Sequence, residues 1–436
     1  MRICTRVIAL ACWFLPVAST AISAQSGPLP FRTAIELALK NSSSTAIGRA
    51  ETLRAKAGLA QSRDAYVPQI SLGSGLAFSY GFPLSLEGSA PALFNFNAQS
   101  FLFNPAQRQY IKAAREEVGV AESQSADRRN DVILETAIDY IQLDLLQSAL
   151  HVQKEQQEFS AKYEEIAGQR VKEGLDPATE LTRARLASAR SAMQTETTQA
   201  IIDQLRMRLS QLTGLPQSAI ETSTETIPAL PAPPQAPDIA AIATEKSFSV
   251  KAAEQTAQAK AFRAKAEEKQ LYPAIDFVTQ YGVLARFNNY DQFFRRFQRH
   301  NVTAGVAIRF PFFNVAQRAA ARAAEADAIK AKKEAESVKE QTGSDALRTQ
   351  RSLRQLSAAR EVNKLEHLMA QTDVETVHEK IGMGGATLKD EQTARITEHE
   401  RYATWLESSF QLDRAEIQLL RQTGELEGWA LGPGKK

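Results

Sequence analysis

No proline interrupts residues 312–432, a span of 121, or residues 106–176, a span of 71. Proline is what a helix interior tolerates least, because it lacks the N–H and its ring collides with the preceding turn. Shorter proline-free spans cover 31–67, 178–215 and 238–272. A chain of 436 residues would ordinarily divide into two or three domains. This spacing predicts a few very long helices instead. The 52 basic and 50 acidic side chains nearly cancel, which excludes a generally basic nucleic-acid binder. Hydrophobic residues make up 43%, too many for a disordered chain.

The first 24 residues read as a secretory signal, not as structure. Arg2 and Arg6 form a basic start, Val7 to Ala18 is largely apolar, and Ala21 and Ala24 offer cleavage sites. Both cysteines, Cys4 and Cys12, lie inside it. The expected mature protein therefore has no disulfide and no thiolate chemistry. Beyond residue 24, no run of about 18 apolar residues offers a transmembrane helix.

The remainder is written twice. Leu102-Phe103-Asn104-Pro105-Ala106-Gln107-Arg108 matches Phe312-Phe313-Asn314-Val315-Ala316-Gln317-Arg318 at an offset of 210. Gly174 and Gly384 share that offset, as do Gly214 and Gly424. Tyr66-Val67-Pro68 matches Leu271-Tyr272-Pro273 at an offset of 205. The expected division is a first repeat at 25–227, a Pro-rich linker at 228–237, a second repeat at 238–430 and a tail at 431–436. Pro228, Pro231, Pro233, Pro234 and Pro237 should keep the linker extended.

Each repeat has the same order of parts. A continuous helix (31–67; 238–272) stops before a proline, which disfavours helix in the preceding residue. Two strands follow, then a long helix (106–172; 316–381), a glycine turn, and a helix running back to Gly214 or Gly424. Leu134, Ile138, Ile141 and Leu145 step by coiled-coil intervals. The two shorter helices together match the long one, so they are expected to stack end to end beside it.

The strands alternate. Ile70, Leu72, Leu76, Phe78 and Tyr80 are interleaved with Ser71, Gly73, Gly75 and Ala77. Phe94, Phe96 and Ala98 are interleaved with Asn95, Asn97 and Gln99. Ile275, Phe277, Tyr281 and Val283 alternate with Asp276, Gln280 and Gly282. Val302, Ala304, Val306, Ile308 and Phe310 alternate with Thr303, Gly305, Ala307 and Arg309. Runs of about ten residues with this pattern suit a membrane β-barrel, although a half-buried sheet in a soluble domain has the same alternation. Four strands cannot close a barrel, and lipid tolerates no open edge. The chain must then oligomerise: two copies give eight strands with a filled interior, three give twelve with a lumen. Small and polar inward residues favour the lumen.

This arrangement resembles the TolC-like outer-membrane efflux protein family over essentially the whole chain after residue 24. The resemblance is carried by Ala34-Ile35-Glu36-Leu37-Ala38-Leu39-Lys40-Asn41, Tyr66-Val67-Pro68, Phe103-Asn104-Pro105, Val171-Lys172-Glu173-Gly174-Leu175 and Leu209-Ser210-Gln211-Leu212-Thr213-Gly214-Leu215-Pro216. It implies a mainly α fold with a small transmembrane β part. A homotrimer would form a twelve-stranded β-barrel in outer-membrane lipid on an α-helical barrel crossing the periplasm. It also implies docking to a periplasmic adaptor and an inner-membrane pump; with no nucleotide-binding motif in the chain, export is expected to be passive and no cofactor is expected.

Function would then sit at three places. The turns around Gly174-Leu175 and Gly384-Gly385 would be the periplasmic tips that meet the adaptor. In the family a helix after a tip carries aspartates that narrow the pore. Asp390 falls on one such position, while Thr393 replaces a second acidic residue. Glu180 is the first-repeat equivalent of Asp390, and Glu391 is a further aperture candidate. A ring of Asp390 carboxylates would attract cations, but an acid at a helix N-terminus also needs no function. The third place is the loop bearing Arg286, Arg295, Arg296 and Arg299, expected to face the exterior and meet lipopolysaccharide phosphates rather than nucleic acid.

Catalysis finds no support. The five histidines lack ligand spacing, and His367 and His378, 11 apart on a helix, read as surface residues; no phosphate loop, nucleophile elbow or zincin motif occurs. A reading from another class is a non-conducting periplasmic coiled-coil scaffold or envelope tether, which would form no pore. The cargo and the pump class are not legible in the residues.

Overall fold

The computed structural model describes residues 28–74, 92–231, 238–284, 298 and 300–432. The signal segment at 1–24, loop arginines Arg286, Arg295, Arg296 and Arg299, part of the Pro-rich linker and most of the tail lie outside the described residues.

The elements are α1 (Phe31–Asn41), α2 (Ser43–Asp64), β1 (Gln69–Gly73), β2 (Ala92–Phe103), α3 (Pro105–Lys172) and α4 (Ala178–Thr213). They continue as α5 (Ile239–Lys246), α6 (Phe248–Lys269), β3 (Ala274–Leu284), β4 (His300–Arg309), α7 (Val315–Gly382), α8 (Leu388–Thr423) and α9 (Leu426–Leu431). The long helices α3 and α7 have 68 residues each, roughly 100 Å at 1.5 Å per residue. Both start at an asparagine N-cap: Asn104 accepts a hydrogen bond from the Gln107 N–H and Asn314 from the Gln317 N–H, each at 3.0 Å.

Two expected helices are broken. The span 31–67 splits at Ser42 and the span 238–272 at Ser247, two serines with extended backbone that cap the following helix. The Ser42 hydroxyl accepts from the Ser44 N–H at 3.2 Å, and the Ser247 hydroxyl from the Val250 N–H at 3.3 Å. A serine in a helical pattern reads as an interior residue unless its cap bond is seen. The helices also end earlier than expected, at Asp64 and Lys269.

The end-to-end stacking does occur. Asn41, the last residue of α1 and next to the start of α2, donates its side-chain amide to the Thr213 carbonyl at the end of α4. Both then lie along α3. On α2, Glu51 and Lys56 pair with Arg128 and Glu122 of α3. On α4, Arg208 pairs with Glu135 and Asp139. In the same way α6 and α8 both pack on α7. The coiled-coil seam is broader than the sequence spacing implied. Around the middle of α3, Val132, Ile133, Ala137, Tyr140 and Leu143 are buried, whereas Leu134 and Ile138 are only partly covered.

The sheet is antiparallel in the order β1-β2-β3-β4 among the described residues. Its register puts Leu72 opposite Phe96, Phe96 opposite Tyr281 and Tyr281 opposite Val302. Asn97 stands opposite Gln280, and Gln280 opposite Thr303, on the other face. One face is therefore mainly apolar and the other mainly polar or small, with Phe101 and Val278 as exceptions on the polar face. The apolar face is uncovered: Ile70, Leu72, Val302, Val306 and Ile308 are exposed. Near the helical end of the polar face, Arg309 pairs with the buried carboxylate of Asp276.

The main apolar cluster lies midway along α3, where α1, α9 and the segment after α4 converge. Phe31 is fully buried, edge-on to Tyr140 (centroids 5.3 Å) and to Trp429 (5.4 Å). The Tyr140 hydroxyl donates to the Leu29 carbonyl at 2.6 Å and accepts from the Ser223 N–H at 2.9 Å. Trp429 donates its indole N–H to the Ala229 carbonyl at 3.3 Å, so the start of the Pro-rich segment is packed rather than free.

Candidate functional site

The two helical hairpins end in turns built the same way. In the first, the Leu175 N–H donates to the Arg170 carbonyl and the Gly174 N–H to that of Val171. In the second, the Gly385 N–H donates to Lys380 and the Gly384 N–H to Ile381. This is the Schellman closure, which needs a left-handed residue; Gly174 has φ 75° and Gly384 φ 73°. Any side chain at these positions would be strained. The turns project apolar surface: Leu175 is 61% and Met383 77% exposed. Arg170 holds Asp176 with two bonds, 2.7 and 3.2 Å, which stiffens the first tip and keeps the Asp176 carboxyl below its usual range.

The three aperture candidates sit just beyond these turns, in three different settings. Asp390 occupies the third position of α8 and forms a capping box with Thr387, whose hydroxyl and backbone N–H both donate to it. Those bonds lower its pKa, the hydroxyl bond most, so the carboxylate stays ionised while exposed. Glu180, in the equivalent place on α4, bonds Arg183 at 2.6 Å and Lys389 of α8 at 3.3 Å. It thus ties one hairpin to the other. Glu391 is only 5% exposed, turned inward against Arg395 at 3.0 Å and His378 at 3.3 Å. The Arg395 guanidinium in turn lies 4.4 Å from the ring centroid of Phe159 on α3. Of the three, Asp390 alone combines exposure with freedom from a cationic partner among the described residues.

A partly buried polar cluster between α7 and α8 escaped the sequence reading. His367 was expected at the surface, yet it is 7% exposed and stacked on Trp405, with centroids 5.6 Å apart. A lone histidine at helical spacing carries no sign of which face will be covered. Glu398 lies 3.4 Å from the His367 Nδ1, and its pKa is raised by burial. Neighbouring His399 is pushed down to about 4, first by burial and then by Arg395. Its unfolded value is near 6.5, so between these values only the unfolded chain takes up the proton. The stability it contributes is full above pH 6.5 and lost as pH falls toward 4, up to about 3 kcal/mol per chain. Asp139, raised to about 6 by burial, acts in the opposite sense over the same window. His399→Gln is therefore expected to remove part of the loss of thermal stability between pH 7 and pH 5. An unchanged difference in Tm between the two pH values would show that His399 is not depressed.

No helix among the described residues is long and apolar enough to cross a membrane, which says nothing of a β-barrel. No group of three or more acidic, histidine or cysteine side chains among them is placed to hold a metal ion.

No family model and no curated protein matches the sequence. Solved structures do. The CmeC outer membrane channel of Campylobacter jejuni superposes with a TM-score of 0.75 at 13% identity, covering 91% of this chain and 86% of that one. The outer membrane protein VceC of Vibrio cholerae gives 0.71 at 19%, covering 93% and 97%. CusC, described for its folding and transmembrane channel formation, gives 0.73 at 16%, with 93% of each chain covered. Coverage is nearly full on both sides, so the likeness extends over the whole fold rather than one part of it. The chain has the TolC-like fold found in these outer-membrane proteins.

Proposed function

We propose that this protein is a passive outer-membrane export channel, a non-enzymatic duct of a tripartite efflux or type I secretion system. One observation carries the reading. The sheet has a bare apolar face, a polar face, and two end strands, β1 and β4, each with an unpaired edge among the described residues. An exposed apolar sheet face marks a contact with an apolar partner, and an open edge is a template for another strand. Lipid against the apolar face and further copies at the edges satisfy both, and three copies close twelve strands around the polar residues. The helices then continue the duct about 100 Å into the periplasm. Their tips, Gly174-Leu175 and Gly384-Gly385, dock a periplasmic adaptor, which joins the duct to an inner-membrane pump that supplies the energy.

Electron microscopy of detergent-extracted protein tests the assembly. The expected particle is a hollow three-fold cylinder about 130–140 Å long; a solid rod would leave the scaffold reading in its place. Asp390→Ala tests the aperture in planar bilayers. Losing a ring of ionised carboxylates is expected to lower cation selectivity and raise single-channel conductance. Currents unchanged in both respects would reduce Asp390 to its capping role.

A further inference from the structure

The first two turns of α3 and α7 contain no acidic residue but two cations each: Arg108 and Lys112, and Arg318 and Arg322. This runs against the helix dipole, whose positive end favours acids there. The helices at the tips obey the rule, with Glu180 on α4 and Asp390 and Glu391 on α8. On α6, which lies beside α3 and runs toward the sheet, Lys265 and Lys269 are again one turn apart. Phe262 links the sets, with the Lys112 and Lys265 ammonium groups each 5.8 Å from its ring centroid. None of these six cations makes an ion pair within the described residues, whereas their neighbours on α6, Lys260 and Arg263, pair with Asp327 and Glu117.

Directly above this band lies a groove of about 570 Å³, within the range of small-molecule sites. Phe103, Ile275, Ile308 and Phe310 supply its apolar lining, and Lys269 and Tyr272 its polar end. Ile275 and Ile308 are cross-strand partners on the apolar face of the sheet, so the groove is that face continued downward. The Arg108 guanidinium sits 5.5 Å from the Phe103 ring centroid at the groove wall. The nearby carboxylate of Glu267 is already engaged by Tyr110 at 2.6 Å and Gln317 at 2.8 Å. In the first repeat Asp64 and Val67 stand where Lys269 and Tyr272 stand in the second. The site is thus peculiar to the β2–β4 side.

We propose that this groove and basic band form a binding site for an anionic glycerophospholipid of the periplasmic leaflet. An acyl chain occupies the groove, and the phosphate meets Lys269 and Arg108, with Lys112 and Lys265 adding to the field. The inference rests on the membrane-barrel reading above. Apolar lining next to unpaired cations at the foot of a lipid-facing sheet complements a lipid with a negative head group, and juxtamembrane clusters of four or more cations bind such lipids.

The test is native mass spectrometry of the full-length protein extracted from outer membranes, with phosphatidylglycerol or phosphatidylcholine added in detergent. One phosphatidylglycerol retained per chain, with phosphatidylcholine retained at least about tenfold less, is expected. The combined Arg108→Gln, Lys112→Gln, Lys265→Gln and Lys269→Gln variant should lose that preference about tenfold or more while keeping its oligomeric mass. A milder variant, Lys269→Gln alone, should lose part of it. Equal retention of both lipids, or a preference unchanged in the variants, overturns the site and leaves the channel reading standing. Protein that never partitions into the outer membrane overturns both.

Discussion

Val306→Arg is expected to stop the protein inserting into the outer membrane, whereas Thr303→Arg, three residues away on the same strand, will not. The two positions lie on opposite faces of β4. Val306 is exposed on the apolar face beside Phe277, and Thr303 stands opposite Gln280 on the polar face. An arginine facing lipid costs about 2–4 kcal/mol near the bilayer midplane, and each chain of an assembly would bear that cost. An arginine facing an aqueous lumen is solvated. Membrane fractionation and heat-resistant oligomer on gels read the outcome. If both variants insert equally, the apolar face does not meet lipid and the duct reading fails. If Thr303→Arg alone fails, the sheet is inside out relative to the register described.

Phe31→Ala should be the most damaging single truncation outside the sheet, about 3–5 kcal/mol. Phe31 is fully buried at the start of α1, between Tyr140 of α3 and Trp429 of α9. Its backbone N–H donates to the Thr226 hydroxyl at 3.0 Å, tying in the segment that follows α4. Four stretches distant in sequence meet at this one ring, and the cavity left behind cannot close without moving all of them. Helical circular dichroism against temperature and protease cutting within 217–231 are the measurements. Tyr140→Phe separates packing from hydrogen bonding. It keeps the ring but leaves the Leu29 carbonyl and Ser223 N–H short of a partner, for about 1–3 kcal/mol. A Tm for Phe31→Ala within a degree or two of the parent would mean that the four stretches are held together elsewhere.

Much of this architecture is legible in the residues. Missing prolines announce the two 68-residue helices, and matched Asn-x-x-Gln starts at 104 and 314 place their first turns. Glycines at 174, 214, 384 and 424 mark helix ends because each adopts a left-handed conformation that other residues resist. Alternation in the strands identifies both faces of the sheet. Such features are local: backbone sterics and side-chain period fix them within a turn or two. Two serine caps inside apparently helical stretches were missed for the opposite reason, since Ser42 and Ser247 break a helix only when the chain on either side docks separately.

Which exposed-looking side chains become buried is a matter of neighbours far away in sequence. His367, Glu391 and Tyr140 share ordinary helical surroundings with many solvated residues, and only the approach of another helix covers them. The same holds for the charges. Asp390 and Glu391 are adjacent in sequence, yet one faces solvent and the other an arginine, because a helix turns by about 100° per residue. The basic band is dispersed over residues 108–112, 265–269 and 318–322, and it becomes a patch only when α3, α6 and α7 lie side by side. Sequence alone therefore determined the two long helices, the repeat and the two-faced strands, through interactions spanning a few residues. Tertiary structure decided which carboxylate is free, where the cations gather and how α1 and α9 are pinned, because these depend on surfaces that only packing brings together.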